Sequence, residues 1–175
     1  MRCHGGRADV MLFREMASHE DSSDVTSDRP FQPLGGGRMC ERVRYEITEH
    51  LLGSLYCHCK RCQRRTGSAF SVTAATAPGS FKIVEGAEFI GSWRPPDGWE
   101  KFFCTECGSH LYTTDPEQPE RLSVRIGALD ADPGIRPSAH QFTDYAAAWE
   151  PIPDVGLPRF PERLPSAMRP PESEV

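Results

Sequence analysis

Apolar and polar side chains alternate through much of the middle of the chain. In "VRYEI", Val43, Tyr45 and Ile47 alternate with Arg44 and Glu46, the two-residue period of a half-buried strand. "AFSVTAA" predicts a second strand, with Phe70, Val72 and Ala74 on one face. "FKIV" and "AEFIGSW" flank Glu85 and Gly86, which read as a hairpin connection. "EKFFC", "SHLYTT" and "RLSVRIGAL" predict three more strands; in the last, Leu122, Val124 and Ile126 alternate with Ser123, Arg125 and Gly127. "SAHQFTDYAAAW" predicts a final strand running into a turn. The one clear helical candidate is a short turn over residues 60–65. The pattern predicts a mainly β fold of antiparallel sheets, with no internal repeat.

The ends of the chain lack this alternation. Residues 1–34 are expected to form a disordered extension, because "SHEDSSDVTSDRP" is polar, acidic and Ser-rich and has little to bury. A second polar, Pro-rich tail is expected over 163–175, leaving one domain over 35–162. Sixteen prolines and fifteen glycines fit short elements joined by turns. A net charge of −5 argues against general affinity for nucleic acid or anionic membranes. No apolar run has the length needed to span a bilayer, and "VMLF" near the start is too short for a signal-peptide core. A cytoplasmic protein is expected.

Seven cysteines in a cytosolic chain point to metal ligands rather than disulfides. Cys57, Cys59 and Cys62 cluster, Cys104 and Cys107 form a pair, and Cys3 and Cys40 stand alone. "CTECG" has the Cys-x-x-Cys spacing at which a tight turn aims two sulfurs at one ion, and Gly108 supplies the conformational freedom to close it. Two arrangements compete. Cys59, Cys62, Cys104 and Cys107 could hold one structural zinc, although the span from Cys62 to Cys104 exceeds the usual ribbon spacing. Alternatively, Cys57, Cys59 and Cys62 hold one zinc while Cys40 joins Cys104 and Cys107 around another. The second arrangement uses six of the seven cysteines and gives the first metal three protein ligands, the number typical of catalytic zinc.

"CHCKRCQRRTGSAF", "FFCTECGSHLY", "IGALD" and "AAAWEPIPDVGLPRF" occur in an order and spacing that resemble the glutathione-dependent formaldehyde-activating enzyme family, to which centromere protein V is related. The resemblance covers roughly residues 35–161. It implies a β-tent fold, a catalytic zinc on Cys57, Cys59 and Cys62 with an open fourth position, and a structural zinc involving Cys104 and Cys107. Family members carry an earlier Cys-x-Cys that completes the structural site. Here the matching stretch reads "GGRMCERVRYEI": Cys40 is kept, Arg38 stands at the first cysteine, and Glu41 replaces a glycine. The structural site thus lacks its fourth thiolate at Arg38. Cys3, returning through the extension, or His110 is the candidate substitute.

The resemblance also implies the reaction: glutathione, or another small thiol, adds to a small aldehyde, as in formation of S-hydroxymethylglutathione. This is the chemistry of a carbon–sulfur lyase. Lys60, Arg61, Arg64 and Arg65 gather positive charge beside the first cluster; Arg61, Arg64 and Arg65 are candidates for binding substrate carboxylates, or for a solvated face that favours thiolate. His58, between two ligands in an extended segment, is expected to face away from the metal. Trp93, Trp99 and Trp149 are expected in core or rim packing, and Asp130 as a turn cap. The competing function class is a zinc-stabilised, non-catalytic module that binds a protein partner. Oligomeric state is not legible in the sequence.

Overall fold

The computed structural model describes residues 31–165. Residues 1–30 of the extension expected over 1–34, the last ten residues of the tail expected over 163–175, and the role offered to Cys3 lie outside the described residues. The strands are β1 (Leu34–Gly37), β2 (Arg44–Ile47), β3 (Gly53–Cys57), β4 (Ser71–Ala75), β5 (Phe81–Glu85) and β6 (Ile90–Trp93), then β7 (Glu100–Cys104), β8 (His110–Thr114), β9 (Leu122–Arg125), β10 (His140–Gln141) and β11 (Arg159–Phe160). One helix, α1 (Lys60–Thr66), follows β3. The protein is mainly β, as the alternation predicts.

The strands form a three-stranded sheet in the order β1-β2-β5 and an eight-stranded sheet in the order β11-β10-β3-β4-β9-β8-β7-β6. One core joins them. Val43, Tyr45 and Ile47 from the small sheet, all at most 1% exposed, pack with Ala74, Cys104, Leu111, Leu122 and Val124 from the large one. The period-two reading of "VRYEI" thus identifies core positions. Each such side chain, fully buried, contributes about 1.5–3 kcal/mol.

Four expectations are corrected. Glu85 and Gly86 do not turn a hairpin, because β5 pairs with β2 while β6 pairs with β7 in the other sheet. Gly86 instead passes the chain between sheets: its φ is 74°, and a Cβ there would lie 1.8 Å from the Arg42 carbonyl oxygen. In β4 the buried side chains are Ser71 and Ala74 rather than a Phe70–Val72–Ala74 face. After Val124 the alternation stops, since residues Ile126–Ala128 form a 3-10 turn. Finally, β10 runs parallel to both β3 and β11, an exception to the antiparallel rule. That exception ties a segment near residue 140 to the strand bearing Cys57.

Candidate functional site

The first cysteine cluster forms where β3 hands over to α1. Cys57 ends β3, Cys59 is the N-cap of α1, and Cys62 lies in its first turn. The Cys59 sulfur accepts a hydrogen bond from the Cys62 N–H at 3.4 Å, so the side chain acts as the capping group that Ser or Asp usually supplies. Gly67, in the left-handed conformation, closes the other end through its N–H to the Gln63 carbonyl. The three sulfurs lie within 4.8 Å of one another and could hold one metal ion. Hydrogen bonding with Cys59 and Cys62 pushes the Cys57 thiol far up. Contacts from Cys57 and Cys59 pull Cys62 down, helped by Ser71 and Arg125, so negative charge collects on Cys62.

The second cluster joins two distant loops. Cys40 precedes β2, Cys104 ends β7, and Cys107 follows in the turn closed by Gly108 at φ 71°. The Gly108 N–H bonds the Cys104 carbonyl at 2.9 Å, and the Cys104 N–H bonds the Ser109 carbonyl at 2.9 Å. These three sulfurs also lie within 4.8 Å of one another. The two triads are separate, so Cys59 and Cys62 do not share one cluster with Cys104 and Cys107.

Soft thiolate donors in threes suit zinc, and each triad offers that set. Arg38 is buried, with Nε and Nη2 unpartnered, and its charge faces Cys104 and Cys107. Burial, the largest influence, holds its pKa at about 10. Glu41 sits at φ 60°, a conformation natural to the glycine that family members carry there. His110 does not join the second triad. Burial, then the charges of Arg65, Arg125 and Arg38, hold its pKa at about 4. His58 also stays out of the first triad: its Nε2 lies 2.9 Å from Nδ1 of His140, whose ring stacks on Tyr56.

A cavity of about 570 Å³ opens on the first triad, and Cys57, Cys59 and Cys62 all line it. None of the cysteines of the second triad lines it. The three arginines beside the cluster divide their roles. Arg61 pairs with Asp97 at 3.0 Å, Arg64 is exposed on the outer face, and Arg65 is partly buried with Nη2 donating to the Phe102 carbonyl at 3.1 Å. Sequence reasoning missed Ser71, Lys101 and Arg125, which share this cavity. The available signal was Arg125 itself, a cation on the face of β9 opposite Leu122 and Val124.

Two other expectations change. Trp93 and Trp149 are exposed, at 53% and 69%, and so are not core, whereas Trp99 lines the cavity beneath the Arg121 guanidinium. Asp130 caps no turn; its carboxylate pairs with Arg44, and its N–H bonds the Gly35 carbonyl.

The profile of the glutathione-dependent formaldehyde-activating enzyme family matches residues 34–145. A relative in Halomonas elongata, provisionally named as such an enzyme, is 28% identical over 105 residues, covering 57% of this chain and 67% of the relative. One in Emericella nidulans with the same provisional name is 26% identical over 92 residues, covering 50% of this chain and 46% of its own length. A crystal structure of a Rhodobacter sphaeroides protein superposes at a TM-score of 0.47 with 22% identity, covering 72% of this chain and 98% of that one. With the family profile spanning more than half of its length, the chain belongs to the glutathione-dependent formaldehyde-activating enzyme family.

Proposed function

We propose that the protein is a zinc-dependent carbon–sulfur lyase of the cytoplasm, acting on the adduct of glutathione, or a similar small thiol, with a small aldehyde such as formaldehyde. One observation carries the assignment: Cys57, Cys59 and Cys62 line the 570 Å³ cavity, and Cys40, Cys104 and Cys107 are not in its lining. The first triad is then the catalytic ligand set and the second the structural one, short of a ligand at Arg38. The domain responsible spans about residues 35–162.

Cys57, Cys59 and Cys62 would hold the zinc, which would supply a Lewis acid favouring the deprotonated form of a substrate thiol. The chain's own residues do the rest. Arg125 and Ser71 face Cys62 and stabilise the negative charge gathered there. Arg61 and Arg64 lie at the outer face, where a peptide-like thiol presents its carboxylates. The cavity walls hold thiol and aldehyde together, which converts a bimolecular addition into one between neighbours.

The test is exchange between formaldehyde and its glutathione adduct, followed by NMR magnetisation transfer with zinc-loaded protein. Acceleration that disappears in Cys57→Ser supports the reading. An uncatalysed rate in protein with metal confirmed at the first triad removes formaldehyde as substrate.

A further inference from the structure

The inner wall of the cavity carries more positive charge than a thiol and formaldehyde can use. Arg65, Lys101 and Arg125 all line it beside Cys57 and Cys62. None of the three takes part in an ion pair among the described residues. Their charged neighbours are chiefly one another and the thiols: Arg65 faces Arg125 and Cys62, and Lys101 faces Arg65, Cys62 and Arg125. Arg65 Nη1 and Arg125 Nε and Nη1 are buried without a hydrogen-bond partner. Burial of unpaired charge costs several kcal/mol, and native proteins tolerate it where a ligand supplies the partner.

Charge counting sharpens this. Three thiolates and one Zn²⁺ carry −1, and an incoming thiolate adds −1, against +3 from Arg65, Lys101 and Arg125. Among these groups beside Cys57 and Cys62, one positive charge is left over, with three idle donors. Formaldehyde is neutral and does not answer it.

We infer that Arg65, Lys101 and Arg125 form a carboxylate subsite within this cavity, and that the substrate bound at the first triad carries a carboxylate close to its reacting atom. The subsite draws on β7, β9 and α1; Arg61, also on α1 and in the cavity lining, differs in being paired with Asp97. Planar guanidinium groups at Arg65 and Arg125 suit a carboxylate, which accepts two parallel hydrogen bonds. The carboxylate belongs either to the aldehyde, as in an acid with the aldehyde on the adjacent carbon, or to a small thiol acid. The reaction itself is unchanged from the proposed function, on which the identity of the reacting groups rests. The thiol sulfur forms a bond to the carbonyl carbon, the C=O π pair moves to oxygen, and that oxygen takes the proton the thiol gave up. The carboxylate is a spectator, and nothing is oxidised or reduced.

The test uses zinc-loaded full-length protein at constant ionic strength. Isothermal titration compares acetate with acetamide, in wild type, Arg125→Met and Arg125→Lys, with metal content measured in each. Acetate is expected to bind at least about tenfold more tightly than acetamide, and to lose that advantage in Arg125→Met while zinc is retained. Equal affinity for the charged and neutral probes in wild type, which needs no variant to fold, overturns the inference. So does acetate binding that neither Arg125 variant changes. Exchange rates then locate the source: glyoxylate against formaldehyde with 2-mercaptoethanol tests the aldehyde, and 3-mercaptopropionate against 2-mercaptoethanol with formaldehyde tests the thiol. A carboxylate advantage in either pair supports the subsite. Acetate binding with no exchange for any pair leaves the subsite standing and removes the thiol–aldehyde reaction instead.

Discussion

Cys40 Sγ lies 3.7 Å from Cys104 Sγ, while Arg38, two residues earlier, is buried with two guanidinium nitrogens unpartnered. A cation thus stands where the family resemblance leads one to expect a fourth thiolate. Arg38→Cys is expected to raise zinc content toward two per chain and to raise the melting temperature by about 5 °C, the shift that about 2 kcal/mol produces in a chain of this size. Metal analysis and calorimetry check it. Unchanged values would mean that the fourth ligand is already supplied.

Glu41 holds φ at 60°, where side chains other than glycine are strained. Its N–H bonds the Arg38 carbonyl at 2.9 Å, so the turn is fixed and cannot relax. Glu41→Gly is expected to stabilise the fold by about 1 kcal/mol, read by urea denaturation at unchanged m-value. Combined with Arg38→Cys, it restores the family pattern at both positions.

The first triad is assembled from six consecutive residues, so removing one sulfur leaves the second cluster intact. Cys62→Ser is expected to abolish metal binding at the first site and catalysis with it, while the melting temperature falls less than in Cys104→Ser. Cys104 is fully buried in the core, and its loss damages packing as well as ligation. A larger fall in Cys62→Ser would reverse the roles of the two sites.

Acid is expected to weaken the fold through His110. Burial and three neighbouring arginines hold its folded pKa at about 4, below the ordinary value near 6.5. The unfolded chain therefore takes up a proton first as pH falls. The stabilising contribution is complete above about pH 6.5 and is lost progressively toward pH 4. The buried His58 and His140, also lowered, act in the same direction. Melting temperatures between pH 7 and 5 should fall less steeply in His110→Gln; an identical slope would rule out this contribution.

Legibility in the sequence followed burial and local spacing. Val43, Tyr45 and Ile47 alternate because one face of β2 meets the core, and that signal is complete within five residues. The Cys57–Cys59–Cys62 cluster and the Cys104–Cys107 pair were legible because ligand spacing is local chemistry, whereas Cys40, sixty-four residues before Cys104, entered only one of two competing arrangements. β1 escaped because "LGGG" has no alternation to read; Gly36 is there to let the Tyr45 ring lie against the backbone, where a Cβ would come within 2.4 Å. Arg125 escaped because an outward-facing cation looks like a solvated one until β4 and β8 are known to flank it. The failed hairpin at Gly86 has the same root: which sheet a strand joins is decided by partners distant in sequence.

The span between ligands also sets an order of assembly. Cys57, Cys59 and Cys62 leave the ribosome almost together, whereas Cys40 must wait for Cys104, sixty-four residues later. During synthesis from the N-terminus, the site facing the cavity has all its sulfurs while β7 is still unmade. The second cluster can close only once both sheets have met, and so works as a late clasp on a chain that already carries all three sulfurs of its first triad.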